Sequence, residues 1–161
     1  MVVAASADDV WAIYSSHDLP KLIVKLLPSV FKSIEIVEGD GGLGTVLDVK
    51  YPPGSIPLHY REKFITIDNE KRLKEVRQIE DGLLALGCTF YMDSFHILEK
   101  DCHHEFFHIH EKNCHKKCII KSTTVYEVPD ELAYKIEPLV TIDSLVGMAH
   151  AISKYVLDKS C

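Results

Sequence analysis

The sequence predicts an α+β domain: antiparallel strands fill the middle of the chain, and a long helix closes its C-terminal end. Three observations carry this. Apolar residues recur at helical spacing before Pro28, alternate from about residue 31 to residue 128, and return to helical spacing from Asp130. Turn residues punctuate the middle stretch, as a succession of short strands requires. The 161 residues fit one domain, residues 1–161, and a chain of that length buries about two-thirds of its unfolded surface.

In chain order, Val2 to Ala5 leave room for a shortened first strand. Ser6-Ala-Asp-Asp9 then sets an N-cap hydroxyl three positions before a carboxylate, a variant of the capping box. Val10, Trp11, Ile13 and Tyr14 continue at helical spacing, so a short helix spans about Ser6 to Ser16 and His17-Asp18 breaks it. A second helix runs from Leu19 to Leu27 and ends at Pro28, because proline disfavours helix in the residue before it. Strands are expected at 31–37 and 45–51, separated by Gly39-Asp-Gly-Gly-Leu-Gly44. After the turn Pro52-Pro-Gly54 come strands at 59–67, 72–79, 84–98 and 117–128, with turns at Asp68-Asn69 and Asp81-Gly82. From Asp130 to Asp158 the spacing is helical, and Leu139, Ile142, Leu145, Val146, Ala149, Ile152 and Val156 fall near one stripe. Pro138 either kinks this helix or starts its main segment. A long helix across the concave face of a sheet leaves a cavity, where small ligands usually sit.

Composition narrows the partners. A hydrophobic share of 47% with 26% charged residues argues against disorder, and a net charge of −6 offers no basic footprint for nucleic acid. There is neither an apolar run long enough for a bilayer nor a basic-then-apolar leader, so no membrane partner and a cytoplasmic location are expected. The five cysteines, Cys88, Cys102, Cys114, Cys118 and Cys161, are odd in number and read as reduced thiols, with Cys88 in the core. Trp11 and Tyr14 read as packing residues. The glycine stretch lacks the Gly-Lys-Ser/Thr ending of a phosphate loop and joins two strands, so it is an inter-strand loop.

Phe95-His-Ile-Leu-Glu-Lys-Asp-Cys-His-His104 is echoed by Phe107-His-Ile-His-Glu-Lys-Asn-Cys-His-Lys116, with seven of ten positions identical at a spacing of twelve. Too short for a repeat architecture, this duplication is expected to lengthen the hairpin between two strands. It gathers His96, Cys102, His103, His104, His108, His110, Cys114, His115 and Cys118. These are zinc-ligand types, but Cys114-x-x-x-Cys118 has no clean paired counterpart upstream, and duplication alone produces such density. No metal site is expected.

The chemistry concentrates elsewhere. In the strand from His59 to Ile67, Arg61 and Lys63 belong in solvent, so the even set Tyr60, Glu62, Phe64 and Thr66 faces inward. A carboxylate inside has its charged form disfavoured and its pKa raised, which suits proton transfer. An odd loop at Asp68 to Lys71 sets Lys74 on the face of Glu62; an even loop sets it opposite. A two-residue hairpin at Asp81-Gly82 sets Lys74 on the face of Thr89, Tyr91 and Asp93. Under both conditions two carboxylates, an ammonium and two phenols look into one cavity. The alternative is a structural ion-pair network of Glu62, Lys74 and Asp93.

Six segments in order, Ala4-Ala-Ser-Ala-Asp-Asp-Val-Trp11, Gly39-Asp-Gly-Gly-Leu-Gly-Thr45, Tyr60-Arg-Glu-Lys-Phe64, Lys71-Arg-Leu-Lys-Glu-Val76, Gly87-Cys-Thr-Phe-Tyr-Met-Asp93 and Cys118-Ile-Ile-Lys-Ser122, resemble norcoclaurine synthases, members of the pathogenesis-related class-10, birch-pollen-allergen-like (Bet v 1-like) superfamily. The resemblance spans nearly the whole chain except the duplicated hairpin. It implies a helix-grip fold, a curved antiparallel sheet wrapped around a long C-terminal helix. It also implies a Pictet–Spengler condensation of dopamine with 4-hydroxyphenylacetaldehyde to (S)-norcoclaurine, without cofactor or metal. By the same resemblance Lys74 is the general acid, Glu62 the base, and Tyr60 and Asp93 position the substrates. Leu27, Leu47, Phe64, Tyr91 and Met148 are implied pocket walls. Leu83 stands where related enzymes often have tyrosine, and Gln78 where methionine is common. A carrier of plant metabolites, or a related alkaloid isomerase or cyclase, is the alternative on the same fold. A monomer or a weak homodimer is expected.

Overall fold

The computed structural model describes residues 1–100 and 116–159. The expected lengthening of a hairpin by the duplication falls outside them, on residues 101–115 with Cys102, His103, His104, His108, His110, Cys114 and His115, and Cys161 is outside as well. The described chain begins with a two-residue strand, β1 (Val2–Val3), then α1 (Ala7–Tyr14) and α2 (Leu19–Leu26). The Ser6 hydroxyl accepts the Asp9 backbone N–H at 3.1 Å and donates to the Asp9 carboxylate at 2.5 Å, closing the N-terminal turn of α1. The opposite end of α1 delivers Tyr14, wholly buried. Trp11 is tied by its indole N–H to Asn69 Oδ1 at 3.0 Å, which holds α1 over a turn of the sheet.

The strands β2 (Ser33–Glu38), β3 (Val46–Lys50), β4 (His59–Asp68), β5 (Leu73–Asp81), β6 (Phe90–Lys100) and β7 (Lys117–Glu127) join β1 in one antiparallel sheet. Its order among the described residues is β1-β7-β6-β5-β4-β3-β2. Between β5 and β6 lies a helical turn, α3 (Gly82–Ala85). The chain finishes with α4 (Asp130–Ile136), a 3₁₀ turn (Glu137–Leu139) and α5 (Asp143–Lys159). The core lies between the sheet's inner face and α1, α2 and α5, where Leu145, Met148, Ala149, Ile152 and Val156 are buried. None of the described helices is long and apolar enough to cross a membrane.

Four sequence expectations change. The loop after Asp68 has four residues, because Asp68 pairs with Leu73. Alone, that even loop sets Lys74 and Glu62 on opposite faces. A β-bulge restores the parity: Thr66 pairs with Glu75 but Phe64 pairs with Val76, leaving Ile65 as the extra residue. Phe64, Glu62 and Tyr60 therefore share the inner face with Lys74, Val76 and Gln78. Thr66, expected inside, instead turns to the outer face and donates to the Glu75 carboxylate at 2.6 Å.

Second, Asp81-Gly82 is no hairpin loop. Both residues adopt positive φ, +60° and +58°, and launch α3, which the leucine- and alanine-rich sequence favours over extended chain. Third, the strand expected at 84–98 consequently begins at Phe90 and leaves Thr89 outside it. Lys74 still shares a face with Tyr91 and Asp93, because it pairs with Phe95 while Val76 pairs with Asp93. Fourth, the single helix expected from Asp130 is two. Pro138 sits in the 3₁₀ turn and the main helix starts only at Asp143. Ile142 and Val146, counted in the apolar stripe, are exposed.

Because α1 hangs on the Ser6 cap, Ser6→Ala is expected to cost about 1 kcal/mol in equilibrium urea unfolding. An unchanged midpoint would show that the cap contributes nothing.

Candidate active site

The inner face of the sheet and the start of α5 enclose a cavity. Its inner chamber is walled by Leu47, Phe64, Val76, Phe95, Leu145 and Met148, together with the α2 residues Leu19, Pro20 and Ile23. Tyr60, Glu62, Lys74 and Asp93 all border it. Tyr60 and Asp93 also border a second, outer chamber, with Tyr51, Gln78, Leu83, Tyr91 and Ser144. Of the expected pocket walls, Leu47, Phe64 and Met148 line the inner chamber and Tyr91 the outer. Leu27 borders neither; it caps the end of α2 and packs on the core.

Lys74 is 1% exposed. Its ammonium donates to the Tyr14 carbonyl at 3.1 Å and sits 3.8 Å from the centre of the Phe64 ring. A carbonyl at a helix C-terminus and an aromatic face both favour a cation. They do not replace the water it has lost, and burial lowers its pKa from the ordinary 10.5 to about 8, with Glu62 opposing the shift. Among the described residues, none of the ion pairs closed to 4.0 Å involves Lys74, Glu62 or Asp93. The charges face one cavity rather than locking into a network.

Glu62 borders the cavity and is otherwise enclosed by protein. Burial first, and then the charge of Asp93, push its carboxyl from the ordinary 4.5 up to about 8, against the pull of Lys74 and the Tyr60 hydroxyl. Asp93 rises to about 6, again through burial, held back by Thr124, whose hydroxyl donates to its carboxylate at 2.5 Å. Burial raises the Tyr60 phenol well above its usual range, so it remains a neutral donor. The site thus holds a cation able to release its proton near neutrality beside a carboxyl able to give up or take one.

Three contributors escaped the sequence reading. The Tyr14 side chain read as packing, and its backbone carbonyl carries no sequence signal. Thr124 was detectable, since it alternates with the buried Cys118 and Ile120 on β7. Tyr51 follows the same alternation from Leu47 and Val49, and its ring lies 5.9 Å from that of Tyr60. Among the described residues no group of three or more His, Cys, Asp or Glu could hold a metal ion.

No family model matches the sequence. The chain is 48% identical over 158 residues to S-norcoclaurine synthase 2 of Papaver somniferum, covering 98% of this chain and 63% of the poppy protein. A solved structure of norcoclaurine synthase from Thalictrum flavum, in complex with dopamine and hydroxybenzaldehyde, superposes with a TM-score of 0.85 at 46% identity, over 98% of this chain and 83% of that one. The chain belongs to the norcoclaurine synthase family. The major pollen allergen Bet v 1-C of Betula pendula is 34% identical over 140 residues, covering 86% of this chain and 79% of the allergen. The fold is accordingly the helix-grip fold of the Bet v 1-like superfamily. The chain spans less than two-thirds of the poppy synthase's length, 63%.

The raised carboxyl has a consequence for stability. Glu62 binds its proton more tightly folded than unfolded, so stability falls as pH rises from the unfolded value of 4.5 to about 8. Glu62→Gln escapes that loss. Its melting temperature, measured relative to the wild-type chain, is expected to climb as pH rises through this window. A flat difference would contradict the raised value.

Proposed function

We propose that the chain catalyses the Pictet–Spengler condensation of dopamine with 4-hydroxyphenylacetaldehyde to (S)-norcoclaurine. The observation that carries this reading is the meeting of Lys74, Glu62, Asp93 and Tyr60 in one desolvated cavity. A metabolite carrier has no need of a buried ammonium that, among the described residues, closes no ion pair and yet shares its cavity with two carboxyls of raised pKa.

The dopamine amine adds to the aldehyde carbon to give a carbinolamine. The Lys74 ammonium donates a proton to the carbinolamine hydroxyl, the C–O bond breaks, and water leaves an iminium ion. The catechol ring attacks the iminium carbon, closing the second ring with loss of aromaticity. The Glu62 carboxylate then accepts the ring proton and aromaticity returns. The iminium cation itself favours ionised Glu62 and Asp93, since an opposite charge in a low-dielectric cavity lowers a carboxyl pKa. Tyr60, a neutral donor, and Asp93, braced by Thr124, hold the substrates in line. A cytoplasmic, monomeric or weakly dimeric enzyme completes the reading; the buried free thiols of Cys88 and Cys118 suit a reducing compartment.

Incubation with the two substrates and chiral chromatography is expected to yield an excess of the (S) product. Racemic product at the uncatalysed rate would overturn the reading. Lys74→Met and Glu62→Gln are each expected to lower kcat/KM about a hundredfold or more. The pH profile is expected to be bell-shaped: kcat/KM rises with pH as Glu62 ionises and falls as Lys74 loses its proton, both limbs belonging to the coupled pair. Lys74→Met flattens the falling limb; a falling limb that persists assigns it to another group.

A further inference from the structure

Gln78 points from β5 into the outer chamber, two positions along the inner face from Val76 and opposite Glu62 on β4. It is 8% exposed. Its carbonyl oxygen is enclosed and, among the described residues, has no hydrogen-bond partner. The room it occupies is kept by Gly82, where a side-chain carbon would come within 2.8 Å of Gln78 Oε1. A buried polar group left without a partner is costly, and native proteins rarely keep one. Around it Tyr51, Tyr60, Leu83 and Tyr91 supply aromatic and apolar wall, while Asp93, Asp143 and Ser144 add polar groups elsewhere on the lining.

We propose that Gln78 is a specificity-determining residue of the outer chamber, its side-chain amide hydrogen-bonding a hydroxyl carried on an aryl ligand seated there. A hydroxyl both donates and accepts, so it satisfies either end of the amide, whichever end faces the chamber. The aromatic walls supply contact area for the ring, and the amide supplies the discrimination. A ligand lacking the hydroxyl leaves the amide unpartnered and binds less well. The inference rests on the synthase reading only in expecting an aryl group in this chamber.

The test uses binding without turnover. 4-Ethylphenol and ethylbenzene differ by the ring hydroxyl alone and carry no carbonyl, so neither can condense with an amine. Titration of the full chain by calorimetry is expected to show the hydroxylated compound bound about tenfold more tightly. In Gln78→Met, similar in length and apolar, the ratio is expected to fall to about twofold or less. That variant should melt no lower than the wild type, since it removes an unsatisfied group. Gln78→Asn, which draws the amide back by one methylene, is expected to lose the ratio as well and serves if the methionine variant folds poorly. A ratio unchanged in the variants, no preference in the wild-type chain, or binding of neither compound would each overturn the proposal. Because no product is formed, this result stands apart from any failure of the condensation assay.

Discussion

Ile65 stands unpaired in the ladder between β4 and β5, and the face that each neighbouring side chain takes depends on it. With Thr66 against Glu75 on one side of the bulge and Phe64 against Val76 on the other, the even residues of β4 cross from the outer to the inner face. Glu62 thereby meets Lys74 across the cavity, and Phe64 comes beneath the ammonium. Regular pairing from the same four-residue loop would leave the lysine inside and the glutamate in solvent. The bulge also strengthens local twist, which suits a sheet that must wrap around α5.

Once the groups share a cavity, their protonation states depend on one another. The cavity wall removes water from an ammonium and two carboxyls without letting any pair close to a direct bridge. Each group is consequently held away from its ordinary ionisation: the lysine is driven down, the carboxyls are driven up, and Glu62 and Lys74 meet near the same value. Such an arrangement costs stability, which the apolar face of α5 and the α1 contacts offset. In return, a proton can be given at one point of the cavity and taken at another without leaving neutral pH. Lys74 is fixed for this by two elements remote in sequence, the last carbonyl of α1 and the Phe64 ring on β4.

Alternation and turn chemistry made much of the fold legible. The strands at 31–37, 45–51, 59–67, 72–79 and 117–128 lie within a residue or two of the observed β2, β3, β4, β5 and β7. The inward set Tyr60, Glu62 and Phe64 followed from Arg61 and Lys63 needing solvent. What sequence could not supply was the count of residues across an irregular ladder. The bulge at Ile65 has no side-chain signature, so loop parity was an assumption, and the true loop was even. Asp81-Gly82 misled because the same dipeptide that opens a hairpin can also, with both residues at positive φ, open a helical turn. Two parity errors cancelled at Lys74 but not at Thr66, which landed outside. The helix after Asp130 was drawn too long because Pro138 broke it outright, leaving an extended link before Asp143.

The central claim is that Lys74 and Glu62 face each other in a desolvated cavity with both ionisations displaced toward neutrality. Carbon-detected NMR of the chain labelled at lysine Cε and glutamate Cδ, titrated across pH with Lys74→Met and Glu62→Gln for assignment, measures this directly. A lysine and a glutamate are each expected to titrate at about 8, with removal of either moving the other. A Lys74 titrating at the ordinary 10.5 and a Glu62 at 4.5, each indifferent to the other's removal, would contradict it.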